Sequence, residues 1–155
     1  GNKPSEFNLF QVLTELIEEM TSQAKDGQVI QFESKGDPDV EMDEHLLRNI
    51  IMNLISNAIK YSPMDSIIDI RVKNSEGETF ISVSDQGMGI PVEEQKHLFE
   101  RFFRANNAIN IQGTGLGLSI VQKYVELMQG TIEFDSREGE GTIFSLVLPF
   151  KYPSL

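Results

Sequence analysis

Four stretches hold residue types whose spacing could do chemistry. Asn49, Asn53 and Asn57 recur every fourth residue, and Lys60 follows three positions later. At about 100° per residue they share one arc of a helix, with Tyr61 at its edge. Asparagine is a poor helix former because its amide competes for backbone hydrogen bonds, so a stack of them is costly without a purpose. A solvated face is one reading. The other is a row of neutral carbonyl oxygens facing a hard cation such as Mg²⁺, with Lys60 set for an anion. Asp85-Gln86-Gly87-Met88-Gly89 follows a strand-like run. Glycines at alternate positions let the backbone turn sharply and approach a flat ligand, and the carboxylate could accept from an exocyclic amine such as adenine's. A glycine-rich turn capped by Asp85 is the plainer alternative.

Gly113-Thr114-Gly115-Leu116-Gly117-Leu118-Ser119 precedes a helical run. Bare N–H groups at a helix start form an anion site, and glycines let phosphate oxygens come close. It is no P-loop, since Gly-Lys-Ser/Thr is absent, and Leu118 replaces the last glycine of the dinucleotide fingerprint. Phe99-Glu100-Arg101-Phe102-Phe103-Arg104 reads either as an aromatic helix end packed in the core or as a lid with arginines over polyphosphate.

The elements that must position these residues follow from periodicity. Apolar spacing predicts a helix over 11–24, a second from Glu44 to Tyr61 capped by Asp43 and ended by Ser62-Pro63, and a third from 117 to near 129. Leu47, Ile51, Leu54, Ile55, Ala58 and Ile59 form the core arc of the second, and Leu46 and Ile50 flank the asparagines. Strands are expected over 7–10, 29–33, 67–73, 79–84, 131–135 and 142–148, with a helix started by Pro91 over 92–103. Residues 104–112 lack a period and read as a mobile loop, part of a lid over 92–112. Short hairpin links among the strands exclude an all-parallel sheet. The expectation is an α/β two-layer sandwich, about three main helices on a mixed, mostly antiparallel sheet.

Composition narrows the function classes. The chain has 155 residues, 13 Lys plus Arg against 24 Asp plus Glu, and a net charge of −11. That length fits one domain spanning 1–155, with Gly1 and Asn2 read as a cloning remnant. The acidic balance argues against nucleic acid or an anionic membrane as partner. With no Cys there is no disulfide, thiol chemistry or Cys-ligated metal. No apolar run approaches the roughly 20 residues of a spanning helix.

The order of the motifs carries more than any one of them. Asn53-Leu54-Ile55-Ser56-Asn57-Ala58-Ile59-Lys60-Tyr61-Ser62 resembles the N box of the sensor histidine kinase catalytic domain. Asp85 to Gly89 resembles its first glycine box, Phe99 to Arg104 its F box, and Gly113 to Leu118 its second glycine box. The resemblance implies the Bergerat-type ATP-binding fold of the gyrase, heat-shock chaperone, histidine kinase and mismatch-repair superfamily, with ATP and Mg²⁺ as cofactors. It implies Asn57 and Asn53 on the Mg²⁺ side, Lys60 at the phosphates and Tyr61 by the nucleoside. Asp85 would accept from the adenine amine in a pocket shaped by Gly87 and Gly89, with Thr142 nearby. Arg104, and Arg101 less directly, would face the γ-phosphate, making Arg104 and Lys60 the catalytic pair. Gly113, Thr114, Gly115, Leu116, Gly117 and Leu118 would hold phosphates.

ATP-hydrolysing relatives carry a glutamate at the position of Asn53 to activate water. An amide cannot take a proton at neutral pH, so Asn53 favours phosphoryl transfer to a protein group and disfavours both a gyrase-type ATPase and an anti-sigma serine kinase. Glu41 and Glu44 lie too far back to substitute. The family's acceptor is a His followed by an acidic residue on a separate helical hairpin; neither His45 nor His97 has that context. The resemblance therefore implies a cytoplasmic catalytic module without its acceptor, from a parent that can be membrane-anchored. Its partners would be ATP or ADP, its own acceptor domain and a response regulator. A nucleotide-holding or docking module that transfers nothing is the alternative.

Overall fold

The computed structural model describes residues 2–100 and 117–153. The elements run β1 (Ser5–Asn8), α1 (Leu9–Thr21), β2 (Val29–Lys35), β3 (Asp39–Met42), α2 (Glu44–Tyr61), β4 (Ile67–Ser75) and β5 (Glu78–Asp85). A 3₁₀ turn (Val92–His97), α3 (Gly117–Leu127), β6 (Thr131–Arg137) and β7 (Gly141–Pro149) complete them. Five strands form one sheet in the order β2-β4-β5-β7-β6, parallel only between β2 and β4. A separate antiparallel ribbon joins β1 to β3. The expected sandwich is therefore present, with α1, α2 and α3 contributing to one core.

Alternation builds that core. Ile68, Ile70 and Val72 of β4, Ile81 and Val83 of β5, and Phe144, Leu146 and Leu148 of β7 point to the helices and are buried. Their neighbours Phe80 and Ile143, in the opposite register, are exposed, as the two-residue period of a strand requires.

Three expectations need correction. The first strand ends at Asn8, and Phe10 is already helical, because the Asn8 side chain accepts from Gln11 N at 3.0 Å and caps α1. The helix after Pro91 is a 3₁₀ turn that stops at His97. β3 had no expected strand; only Val40 and Met42 alternate inward there, too short a pattern to separate from loop.

α2 matches its expected bounds because both ends are chemically closed. Asp43, 4% exposed, accepts from Leu46 N through Oδ1 at 2.9 Å and from Lys3 N through Oδ2 at 2.6 Å. Glu44 in the first turn and Lys60 in the last complement the helix dipole. At the far end, Lys25 Nζ donates to the carbonyls of Lys60 and Ser62, and Gln28 Nε2 donates to those of Ile59, Ser62 and Pro63. These side chains satisfy carbonyls that a helix terminus leaves unpaired. Asp43→Ala should lower the unfolding free energy by about 0.5–2 kcal/mol, the usual range for a lost cap. An unchanged urea midpoint would contradict the role given to Asp43.

Candidate functional site

The asparagine face of α2 is half-buried, between Leu46 and Ile50 on one flank and α3 on the other. Asn49 Nδ2 donates to His45 O at 2.9 Å, and Asn53 Nδ2 donates to Asn49 O at 2.8 Å. Each amide thus uses its N–H one turn back and keeps its carbonyl oxygen for something else. A Cβ placed on Gly117 would stand 3.2 Å from Asn53 Oδ1 and 4.0 Å from Asn57 Oδ1. The start of α3 therefore meets the stripe, and a helix N-terminus favours an anion. Among the described residues no group of three or more His, Cys, Asp or Glu could hold a metal. Neutral amide oxygens suit a hard cation that keeps waters and shares a ligand's oxygens.

The second half of the site is a row across the sheet. Asp85, the last residue of β5, pairs with Thr142 of β7, which pairs with Ser136 of β6. Asp85 Oδ1 accepts from Gly87 N at 2.8 Å and from Thr142 N at 3.3 Å. Burial nevertheless raises the carboxyl above its ordinary pKa, against the lowering effect of these two bonds.

The alternate glycines are needed first by the protein's own backbone. A Cβ on Gly87 would fall 2.4 Å from Tyr61 O, and Met88 N donates to that carbonyl at 3.2 Å. Gly89 has φ +68°, and a Cβ there would fall 2.0 Å from Arg137 O. The turn is thereby wedged between the end of α2 and the β6–β7 turn. Tyr61, half-buried, and Asp85 are brought together at this end, one to two turns along α2 from Asn57 and Asn53. Lys60 is exposed at the same end of the helix. Leu118 packs partly buried against the core. Arg101, Arg104, Gly113, Thr114, Gly115 and Leu116 lie outside the described residues.

Two residues escaped the sequence reading. Ser136 Oγ accepts from Ile90 N at 2.9 Å and lies 2.8 Å from Thr142 Oγ1. Gln95 Nε2 donates to the carbonyls of Ile90 and Ser136, each at 3.0 Å, fixing the 3₁₀ turn to both. Ser136 had a legible signal: it continues the inward register of Ile132 and Phe134, where a hydroxyl is out of place. Phe99 packs edge-on against Phe134 and Phe144 at 5.9 and 6.5 Å, which supports core packing for that phenylalanine. His45 is exposed beside Asn49, and His97 pairs with Glu100 at 2.8 Å.

A family model described as histidine kinase-, DNA gyrase B- and HSP90-like ATPase matches residues 42–152. The sensor histidine kinase WalK of Bacillus subtilis is 40% identical over 116 residues, covering 72% of this chain and 19% of WalK. The chain spans less than a third of the curated relatives it matches. The nucleotide-free catalytic domain of histidine kinase ThkA superposes with a TM-score of 0.82 at 30% identity, over 95% of each chain. Full-length ShkA in complex with AMPPNP gives 0.86 at 25% identity, over all of this chain and 33% of that one.

A carboxyl whose folded pKa lies above its unfolded value takes up protons on folding. Asp85 therefore makes the fold less stable as pH rises from the ordinary carboxyl range through the raised value. Asp85→Asn, whose Oδ1 can still accept from Gly87 and Thr142, should be more stable than the parent at pH 7. The gap should close as pH falls toward 4, read by urea unfolding across pH.

Proposed function

Because the chain belongs to the histidine kinase-, DNA gyrase B- and HSP90-like ATPase family, we propose that it is the catalytic domain of a two-component sensor histidine kinase. It binds Mg²⁺–ATP and passes the γ-phosphoryl to a His on a separate helical-hairpin domain. One observation carries the reading: α2 holds a half-buried carboxylate turn at one end and a stripe of amide oxygens facing a helix start further along. Eight residues separate Asn53 from Tyr61, about 12 Å at the usual helical rise, a span that suits an extended nucleoside triphosphate.

Asp85 accepts from the adenine amine through the oxygen not taken by Gly87 and Thr142, with Thr142 and Tyr61 beside the nucleoside. Gly87 and Gly89 hold the turn that shapes this end. Asn57 and Asn53 would hold Mg²⁺, which when bound offsets charge on the phosphate oxygens. The N–H groups at Gly117 and Leu118 face the phosphates, with Lys60 contributing positive charge near the pocket. Arg104 and Arg101, and Gly113 to Leu116, take their roles from the family motifs. In the transfer, the bond from the γ-phosphorus to the ADP oxygen breaks as a bond to the acceptor imidazole nitrogen forms. Positioning and charge stabilisation dominate such a step. Asn53, where hydrolysing members place a glutamate, supplies no base to activate water.

The domain would work in the cytoplasm with its own acceptor domain, and a response regulator would take the phosphoryl group onward. Among the described residues no helix is long and apolar enough to cross a membrane.

Calorimetric titration with ATP and ADP, with and without Mg²⁺, tests the pocket. Saturable binding of both nucleotides is expected, and Asp85→Asn should weaken it by about 100-fold or more. Its Oδ1 would stay committed to Gly87 and Thr142, leaving the amide N–H₂ to face the ligand's amine, donor against donor. Asn57→Ala should remove only the Mg²⁺-dependent share. No binding at millimolar ATP would overturn the proposal.

A further inference from the structure

We infer that Ser136 is a specificity-determining positioning residue, which sets the proton of the Thr142 hydroxyl so that the base pocket presents acceptors only. The inference rests on the adenine-binding reading of Asp85. The Ser136 oxygen carries one hydrogen and two acceptor lone pairs. Ile90 N–H donates into it at 2.9 Å, while Gly141 O, an acceptor with no hydrogen, lies 3.2 Å away. Thr142 Oγ1, at 2.8 Å, is the third partner.

One arrangement makes all three contacts hydrogen bonds. Ser136 donates to Gly141 O, and Thr142 donates to Ser136. The reverse arrangement, with Ser136 donating to Thr142, leaves Ser136 no hydrogen for Gly141 O. Ser136 and Thr142 are 8% and 7% exposed, so an unmade bond is not readily replaced by bulk water. The Thr142 hydrogen is therefore spent on Ser136, and its free lone pair stands in the same cross-strand row as the Asp85 carboxylate.

Two acceptors side by side welcome an amine and repel a carbonyl oxygen. The purine that offers an amine at the 6-position is favoured, and the one that offers a carbonyl there is rejected. Gln95 reinforces this by holding the Ser136 and Ile90 carbonyls, which keeps Ile90 N–H aimed at Ser136 Oγ.

The experiment compares the dissociation constants of ATP and GTP for the parent chain, Ser136→Ala, Ser136→Thr and Thr142→Val, with thermal unfolding to confirm that each is folded. Ser136→Ala frees the Thr142 hydrogen to donate. The preference for ATP over GTP should then shrink roughly three- to tenfold, the scale expected when one buried polar contact changes sense. Ser136→Thr restores the hydroxyl and should restore the preference. Should Ser136→Ala fail to fold, Thr142→Val provides the second arm, because it removes the acceptor and should shrink the preference too. A loss of ATP and GTP affinity in equal proportion, or an unchanged ratio, would overturn the inference and leave Ser136 a structural residue. If Asp85→Asn leaves ATP binding intact, the adenine reading itself fails. If Asp85→Asn abolishes binding while the Ser136 variants keep the ratio, only this inference fails.

Discussion

The backbone bond from Met88 N–H to the carbonyl of Tyr61 is the joint on which the site depends. A helix leaves its last carbonyls unpaired, and α2 gives one of them to the turn that follows β5. That bond needs the turn to lie against the helix end, and Gly87 permits it, since a side chain would strike the Tyr61 carbonyl. Asp85 sits two residues before Gly87 and the amide stripe lies back along α2, so the rigid helix fixes the spacing between them. Lys25 and Gln28 hold the neighbouring carbonyls and keep the helix end from fraying.

Electrostatics sets the second constraint. A chain of net charge −11 gains nothing from its overall field in holding a polyanion. On the proposed reading, affinity comes from local devices: the start of α3, amide oxygens suited to a cation, and a base pocket that reads hydrogen-bond sense. The desolvated Asp85 is the counterpart of this economy. Burial disfavours its charged form, and on the proposed reading that is offset only when a donor arrives, a conflict between stability and function that is expected at binding sites.

α2 was legible to the residue because its signals are local and agree: an Asp cap, one apolar arc and a Ser-Pro stop. The hairpins of β4–β5 and β6–β7 were legible for the same reason. β3 was not, since four residues held by pairing with β1 carry no period of their own. The stop of the 3₁₀ turn at His97 was hidden because Leu98 and Phe99 continue an apolar pattern that core packing, not helix, satisfies. The residues of the candidate site stand out in the sequence by type and spacing. The packing around the two glycines does not. Gly87 and Gly89 looked like room for a ligand, yet the close approaches are to Tyr61 and Arg137, partners remote in sequence. Ser136 carried a signal, a hydroxyl in the inward register of β6, but its partners Ile90 and Thr142 meet it only in the folded three-strand row.

In the proposed function, one helix spaces a base-reading end from a cation- and phosphate-holding end. NMR of the ¹⁵N-labelled chain with ATP and Mn²⁺ in place of Mg²⁺ tests it most directly, because the paramagnetic ion broadens signals by distance. The account predicts strongest broadening at Asn53, Asn57 and Gly117. Asp85 and Gly87 should shift with the nucleotide and broaden least within the pocket. Broadening centred away from the asparagine stripe, or strongest at Asp85, would contradict it.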